Sequence, residues 1–524
     1  MPRNILLVTT SHQRFDSLGC NGGRVARTPV ADSLARRGRN YQRAYSQNAQ
    51  SAPARCTMLT GQYPRTHGVT ADGIALPVDA PSIAAHLASS AGYRTALIGK
   101  ANFEPASDVS GRWEESARWL RGDSGPWRGF DYSVQASHMP SVGGVAYQHY
   151  GQWLHEHHRD YLDSFAGQSV EAGGDTASPA TRHNHIPSEL YHTEWIADRA
   201  TEWIDTVPDD TGFFCWMSFP DPHYPWDPPE SEMGRVNWRD LDLPIGHPGS
   251  TAAIRKVLAE KPAHWLGYFD GTFANREGGP GHVVPGALRP EQLLEITARA
   301  HVMVELIDEA LGGVLDHLER MGRLADTDVI FTSDGGDLQG DFGLLFTGPW
   351  QVDSVMRIPM IWAPALGTAA EVLTSPVGQI DLAPTLCAIA GIDPAAWMQG
   401  TVLPPADSGS DERRGLSEWD SRLPGWGMHL RSVYRDGWSC TAYLESTDGQ
   451  PNGLESVAGA AVLTKCGVHY DGTEGELYDL REDPLQWHNL WDDLGYQSVR
   501  DDLVDDMMRS LPVRRRLLPV EAPA

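Results

Sequence analysis

Lysine is nearly missing from this chain of 524 residues: it stands only at positions 100, 256, 261 and 465, while lysine and arginine together number 42. A compositional preference for arginine accounts for the scarcity, and it makes each lysine conspicuous. Positive charge is short overall. The 69 aspartates and glutamates leave a formal net charge of −27, which argues against a nucleic-acid partner or an anionic membrane surface while leaving room for a local basic pocket. The six cysteines, at 20, 56, 215, 387, 440 and 466, are scattered, without metal-type pairs or a disulfide framework, so a reducing cytoplasm is the expected compartment. No apolar run is long enough to span a membrane. The opening MPRNILLVTTSHQ is strand-patterned, without the charged n-region, apolar stretch and cleavage site of a signal peptide, so none is expected.

What is present is an ordinary globular composition, 41% hydrophobic and 21% charged. The length exceeds what one core usually serves, and a large domain over 1–404 followed by a smaller one over 415–524 is expected. PPADSGSDERR, around 404–414, reads as the linker between them. NILLVTT (4–10), RTALIGK (94–100), FFCWMSF (213–219) and DVIFTSD (328–334) read as buried parallel strands, with helical patterns at 81–91, 193–206 and 290–320. This alternation predicts an α/β fold with a mostly parallel central sheet flanked by helices. Short strand-like pieces over 428–480 and a helical pattern at 496–511 predict a smaller α+β domain. Ligands of such sheets bind beyond the carboxyl ends of the strands. There the chain places Ser11, His12 and Gln13, then Lys100 and Asn102, then Asp221 and His223, then Asp334. The segment 104–190, rich in tryptophan, glycine and histidine, reads as an insertion that covers this edge. Its HEHHRD run is a poor metal motif, because adjacent helical residues do not share a face.

The chemistry concentrates in SQNAQSAPARCTMLTGQYPRTHGV, residues 46–69. Pro53 suits the first turn of a helix and puts Ser51 near its N-cap. Backbone N–H groups there point outward and the helix dipole favours negative charge. Arg55, four residues on, shares the face of Ser51 and can fork onto an oxyanion. Such an end suits a sulfate or phosphate. An ordinary cap with a surface arginine is the alternative on spacing alone. Cys56 reads as packing.

The stretch resembles the sulfatase signature of the alkaline-phosphatase superfamily, a cysteine or serine followed by x-Pro-x-Arg and then Leu-Thr-Gly. RFDSLGCNGG, TPVADSLARRG, ALIGKANF, FPDPHYPWDPP, FTSDGGDLQGDFGL, IDLAPTLCAIAGI and GELYDLREDPLQWHNLW look like further family landmarks, in family order through most of the chain. The resemblance implies a large α/β domain and a smaller C-terminal domain with an antiparallel sheet. It implies that residue 51 is the nucleophile position, a cysteine or serine oxidised to formylglycine. The hydrate of that group attacks sulfur or phosphorus while a divalent cation, commonly calcium or manganese, holds the anion's oxygens. Arg55, Lys100, His223 and Asp334 match family site residues, and Lys100 and His223 match those that contact the ester.

Departures gather at the metal. Ser11 and His12 stand where the family has Asp followed by Asp or Gln, Asp334 is followed by Gly335 rather than Asn or His, Lys-x-His has become Lys100, Ala101, Asn102, and the lysine near LLFTGPW is Thr347. Calcium takes about 6–8 oxygen ligands, rich in carboxylate, and imidazole suits a hard cation poorly. No metal or other cofactor is therefore expected; the alternatives are a rebuilt site on His12, Asp334 and Asp337, and formylglycine at Ser51. Ser51, His12 and Asp334 then suit a nucleophile, base and orienting acid, with Arg55, Lys100 and His223 completing the catalytic set. Alternatively His12 fills the cation's volume and bonds Asp334. Asn102, Ser11, Gln13 and Thr347 are candidate substrate contacts, Asn102 able to hydrogen-bond but not to protonate a leaving group.

Three functions follow. The first is a metal-independent enzyme acting by group transfer or another biosynthetic step on a small molecule that bears a sulfate-, sulfamate- or phosphate-like group. The second is a silent homologue that binds a ligand or partner, and the third is a sulfuric or phosphonic ester hydrolase with a rebuilt metal site.

Overall fold

A computed structural model describes residues 3–105, 108–139, 141–142, 145–164, 172–405, 413–421, 428–445, 468 and 470–514. Most of the linker expected at 404–414 lies outside these residues. The four strands read from sequence form Asn4–Thr10, Arg94–Gly99, Phe213–Ser218 and Thr327–Ser333. They sit side by side in an eight-stranded sheet whose order is Glu371–Leu373, Arg39–Tyr41, Met360–Ala363, Thr327–Ser333, Asn4–Thr10, Phe213–Ser218, Arg94–Gly99 and Tyr132–Val134. Neighbours from Thr327–Ser333 to Tyr132–Val134 pair in parallel, and Met360–Ala363 runs antiparallel to both of its neighbours. The sheet is thus mixed, with a parallel centre.

Apolar runs on these strands follow from burial on both faces. Along Asn4–Thr10, Leu6 and Val8 enter one core with Trp195, Ile204 and Val302, while Ile5 and Leu7 enter the other with Met58, Leu87 and Leu386. The first face is covered by helices Pro29–Arg36, His192–Asp205 and Pro290–Arg320, the second by Ser51–Thr60, Ile83–Ala91 and Leu382–Ala390. The long helix starts at Pro290, which removes one of the N–H groups that a helix start leaves unpaired, and Gln292 Oε1 accepts the Arg289 N–H at 2.9 Å. Among the described residues no helix is long and apolar enough to cross a membrane.

The C-terminal region adds a four-stranded antiparallel sheet, Gly415–Asp420, His429–Arg435, Trp438–Leu444 and Gly475–Asp479. Val433, Cys440 and Leu477 face helix Gln497–Ser510, while Leu430, Tyr434 and Tyr443 face Trp265 and Trp350 of the large unit. Its first strand also reaches the chain leading into Ser51. Glu418 N–H donates to Gln47 O at 3.0 Å, and Asn48 Nδ2 donates to Glu418 O at 2.7 Å. Tyr45 stacks on Tyr434 with ring centroids 3.8 Å apart.

Candidate active site

Three strand ends and one helix end converge. Helix Ser51–Thr60 is buried along its whole length and stops at Gly61, whose φ of 66° makes the left-handed C-cap. Gly99 ends its strand at φ 107°, and a Cβ there would lie 1.8 Å from Ser218 O. Only glycine permits this approach, which lets the Lys100 N–H donate to Ser218 O at 2.9 Å and turns the lysine toward Ser51.

Lys100 Nζ donates to Ser11 Oγ at 2.6 Å and to Ser51 Oγ at 2.9 Å, and lies 3.7 Å from Asp334 Oδ2. Ser11 Oγ, 3.5 Å from Ser51 Oγ, donates to Asp334 Oδ2 at 3.1 Å. Arg55, fully buried, donates through Nε to the same Asp334 oxygen at 2.9 Å, and through Nη1 to Lys100 O at 2.9 Å and Ser218 Oγ at 2.6 Å. Its Nη2 is buried without a partner. Burial pulls the Lys100 ammonium down to about 8, against the opposing pull of Asp334, so it is mostly charged at neutral pH. Burial pushes the Asp334 carboxyl up, but Lys100 and Arg55 outweigh it and hold the group well below the usual carboxylate range.

The relay read from Ser51, His12 and Asp334 is not assembled. Asp334 Oδ1 accepts the backbone N–H of His12 at 3.0 Å rather than its ring, and Ser51 Oγ meets Lys100 and Ser11 rather than His12. His12 has φ 57°, and this left-handed turn carries its imidazole away. The ring packs 4.0 Å from that of His223, with Nδ1 4.0 Å from Asp337 Oδ2. Those two atoms lack a hydrogen-bond partner. Burial brings His12 down to about 3 and Asp337 up to about 7, so near neutral pH the imidazole is uncharged and the carboxyl only partly ionised. His223 gives Nδ1 to Tyr224 O, and burial holds its ring well below the ordinary histidine value.

The helix end also differs from its sequence reading. Asp72 Oδ1 accepts the Ala52 N–H at 2.8 Å, so a carboxylate of the chain already takes one of the amides expected to face an anion. Thr347 is turned inward, donating to Ala49 O at 2.8 Å, and buttresses the approach to Ser51. Gln13 Nε2 donates to Ser17 Oγ at 3.0 Å, leaving Oε1 buried and unpartnered. Asn102, at φ 56°, keeps a side chain with no hydrogen bond among the described residues. Its backbone N–H and those of Phe103 and Glu104 donate to the Glu115 carboxylate at 2.9–3.1 Å. Cys56 is fully buried, and burial pushes its thiol up.

Sequence reading passed over Asp72, Glu115, Ser218 and His138. Of these, His138 left a signal: it follows the end of strand Tyr132–Val134, on the edge where the other site residues gather, and stacks 5.0 Å from His223. That strand has three residues, too few to show a period.

The positions that the resemblance implies for a divalent cation do not fit one. Asp334 is the only carboxylate at positions 11, 12, 334 and 335, and its oxygens serve Arg55, Ser11 and the His12 amide. Among the described residues no group of three histidines, cysteines or acids could hold a metal. The rebuilt set of His12, Asp334 and Asp337 fares no better, since the His12 ring and Asp334 are turned to different partners.

Comparison with known proteins agrees with this architecture. The chain is 26% identical over 513 residues to the sulfatase YidJ of Escherichia coli, covering 96% of this chain and 86% of that protein. It is 23% identical over 531 residues to an N-acetylglucosamine-6-O-sulfatase of Bacteroides thetaiotaomicron, covering 96% and 85%. The crystal structure of a phosphonate monoester hydrolase of Agrobacterium radiobacter superposes with a TM-score of 0.74 at 21% identity, covering 97% of this chain and 95% of that one. The fold is thus alkaline-phosphatase-like, and the sulfatase family model matches residues 3–392. The chain belongs to the sulfatase family.

Proposed function

We propose that this protein is an enzyme acting on a small molecule that carries a sulfate-, sulfamate- or phosphate-like monoester, with Ser51 Oγ as the attacking atom and no divalent cation. One observation carries the reading: Ser51 Oγ sits at the buried helix end within 2.9 Å of Lys100 Nζ, beside Arg55 with an unpartnered Nη2. A hydroxyl next to an ammonium is biased toward its alkoxide, and fixed donors suit the charge that builds on the oxygens of a displaced group. Relatives that are sulfatases and a phosphonate monoester hydrolase support the substrate class.

In the first step Ser51 attacks sulfur or phosphorus and the ester bond breaks, the proton of Ser51 ending on the departing oxygen. The seryl ester then yields to an acceptor O–H or N–H, whose proton returns to Ser51. Water as acceptor makes this hydrolysis, and an organic acceptor makes it group transfer. An unmodified serine lacks the second hydroxyl of a formylglycine hydrate, so its ester must be opened at sulfur or phosphorus, by water or by another acceptor.

The test is turnover of 4-nitrophenyl sulfate and of a phenyl phosphonate monoester in the presence of a chelator, with and without an added alcohol or amine. Ser51→Ala is expected to abolish it. Turnover unchanged in Ser51→Ala, or in both Arg55→Ala and Lys100→Ala, defeats the reading.

A further inference from the structure

The place that the resemblance implies for the cation, among positions 11, 12, 334 and 335, is bordered by a charged side chain of the protein itself. Lys100 Nζ lies 2.6 Å from Ser11 Oγ, 2.9 Å from Ser51 Oγ and 3.7 Å from Asp334 Oδ2. We propose that the Lys100 ammonium does the work of the divalent cation, holding the Ser51 oxygen and one oxygen of the bound sulfuryl or phosphoryl group in a single electrostatic field. The proposal rests on the reading of Ser51 as the attacking atom.

An ammonium has three N–H donors. Two are engaged by Ser11 and Ser51, and the third has only the long approach to Asp334, so it is available to a ligand oxygen. Ser11 Oγ takes one of the two engaged donors. Its hydroxyl accepts from Lys100 and gives its one proton to Asp334, so it couples the two charges without adding another.

The backbone fixes the lysine just as firmly. Gly99 makes the bend, Lys100 N–H is anchored on Ser218 O, and Lys100 O accepts from Arg55 Nη1 and Ser218 Oγ. Arg55 Nη2, buried and unpartnered, supplies a second donor. A cation, an alkoxide partner and an oxyanion donor are thus all provided by side chains.

Two measurements on the full-length protein test this. Wild type equilibrated with CaCl2 or MnCl2 and then desalted is expected to contain no stoichiometric divalent ion by elemental analysis, and neither salt should raise its Tm. Lys100→Ala is expected to lose turnover and to regain part of it with ethylammonium, but not with Mn2+. About one divalent ion per chain in wild type, or a Tm that climbs with either salt, overturns the proposal. So does rescue of Lys100→Ala by Mn2+ alone, or an ethylammonium series without effect in a variant that keeps the wild-type Tm. Should wild type turn over no ester, the reading of Ser51 fails by itself, while the metal titration still decides whether a divalent cation occupies this place. That titration also stands if Lys100→Ala does not fold.

Discussion

Lys100 and Lys261 are the buried lysines among the described residues, and they repay comparison. Lys100 and Lys261 have the same exposure, 7%, and burial draws each down to about 8. Their surroundings differ. Lys261 Nζ donates to Tyr478 OH at 2.6 Å and to Gln486 O, and lies over the rings of Tyr478, Phe342 and Trp265 at 4.1, 5.1 and 5.4 Å. Its neighbours enclose it where the C-terminal sheet meets the large unit, and the tyrosine passes the bond on to Glu476. Lys100 instead meets two serine hydroxyls at a helix end, beside an arginine with an idle nitrogen. A perturbed lysine marks a functional candidate only when its partners are themselves reactive or unsatisfied. Lys261 is mortar between two parts of the protein.

Exchanging each lysine for methionine probes that contrast directly. Lys100→Met is expected to lower turnover by about 10²–10³-fold or more, the scale of removing one fixed donor from a developing anion. Its Tm should change little, because Asp334 keeps its ion pair with Arg55 and the desolvation of the ammonium is relieved. Lys261→Met should leave turnover near wild type. If Lys261→Met destroys activity in a protein of unchanged Tm, the contrast is broken.

The second effect is on stability against pH. Below about pH 8 both folded and unfolded Lys261 hold the proton, and the penalty for burying the charge is present in full. Between about 8 and 10.5 the folded chain releases it first, the unfolded chain holds more protons, and stability rises with pH. Lys261→Met should therefore lack a gain on the order of 3 kcal/mol across that window, read by urea unfolding at fixed pH values and compared with wild type.

The smallest effects come from the hydroxyls. Tyr478→Phe leaves a donor of Lys261 unmatched and should cost about 1–3 kcal/mol of stability without touching turnover. Ser11→Ala removes the matching acceptor at Lys100. It should shift turnover more than stability, and equal effects of the two variants on Tm with none on turnover would erase the distinction between the lysines.

Much of the fold was legible because a buried parallel strand is apolar on both faces. The four central strands end within one residue of their readings, and the helical pattern over 290–320 coincides with the long helix Pro290–Arg320. The three-residue strands Arg39–Tyr41, Tyr132–Val134 and Glu371–Leu373 carry no period, and His138 went unseen with them. At the site, position was readable and direction was not. Ser11, Ser51, Arg55, Lys100 and Asp334 lie in one cluster, but a left-handed backbone at His12 turned the ring that residue type alone had assigned to Ser51. Asp72, 21 residues from Ser51, reaches the helix end through a loop with no pattern of its own.

The bonds from Gln47 and Asn48 to Glu418 have a consequence in time. The chain is made from its N-terminus, at about 5–20 residues per second, so roughly 20–70 seconds of synthesis separate Ser51 from the strand that pins the segment ahead of it. Until Gly415–Asp420 has emerged, the segment ahead of Ser51 lacks its bonds to Glu418, and its last hydrogen bonds form only when that strand is laid down.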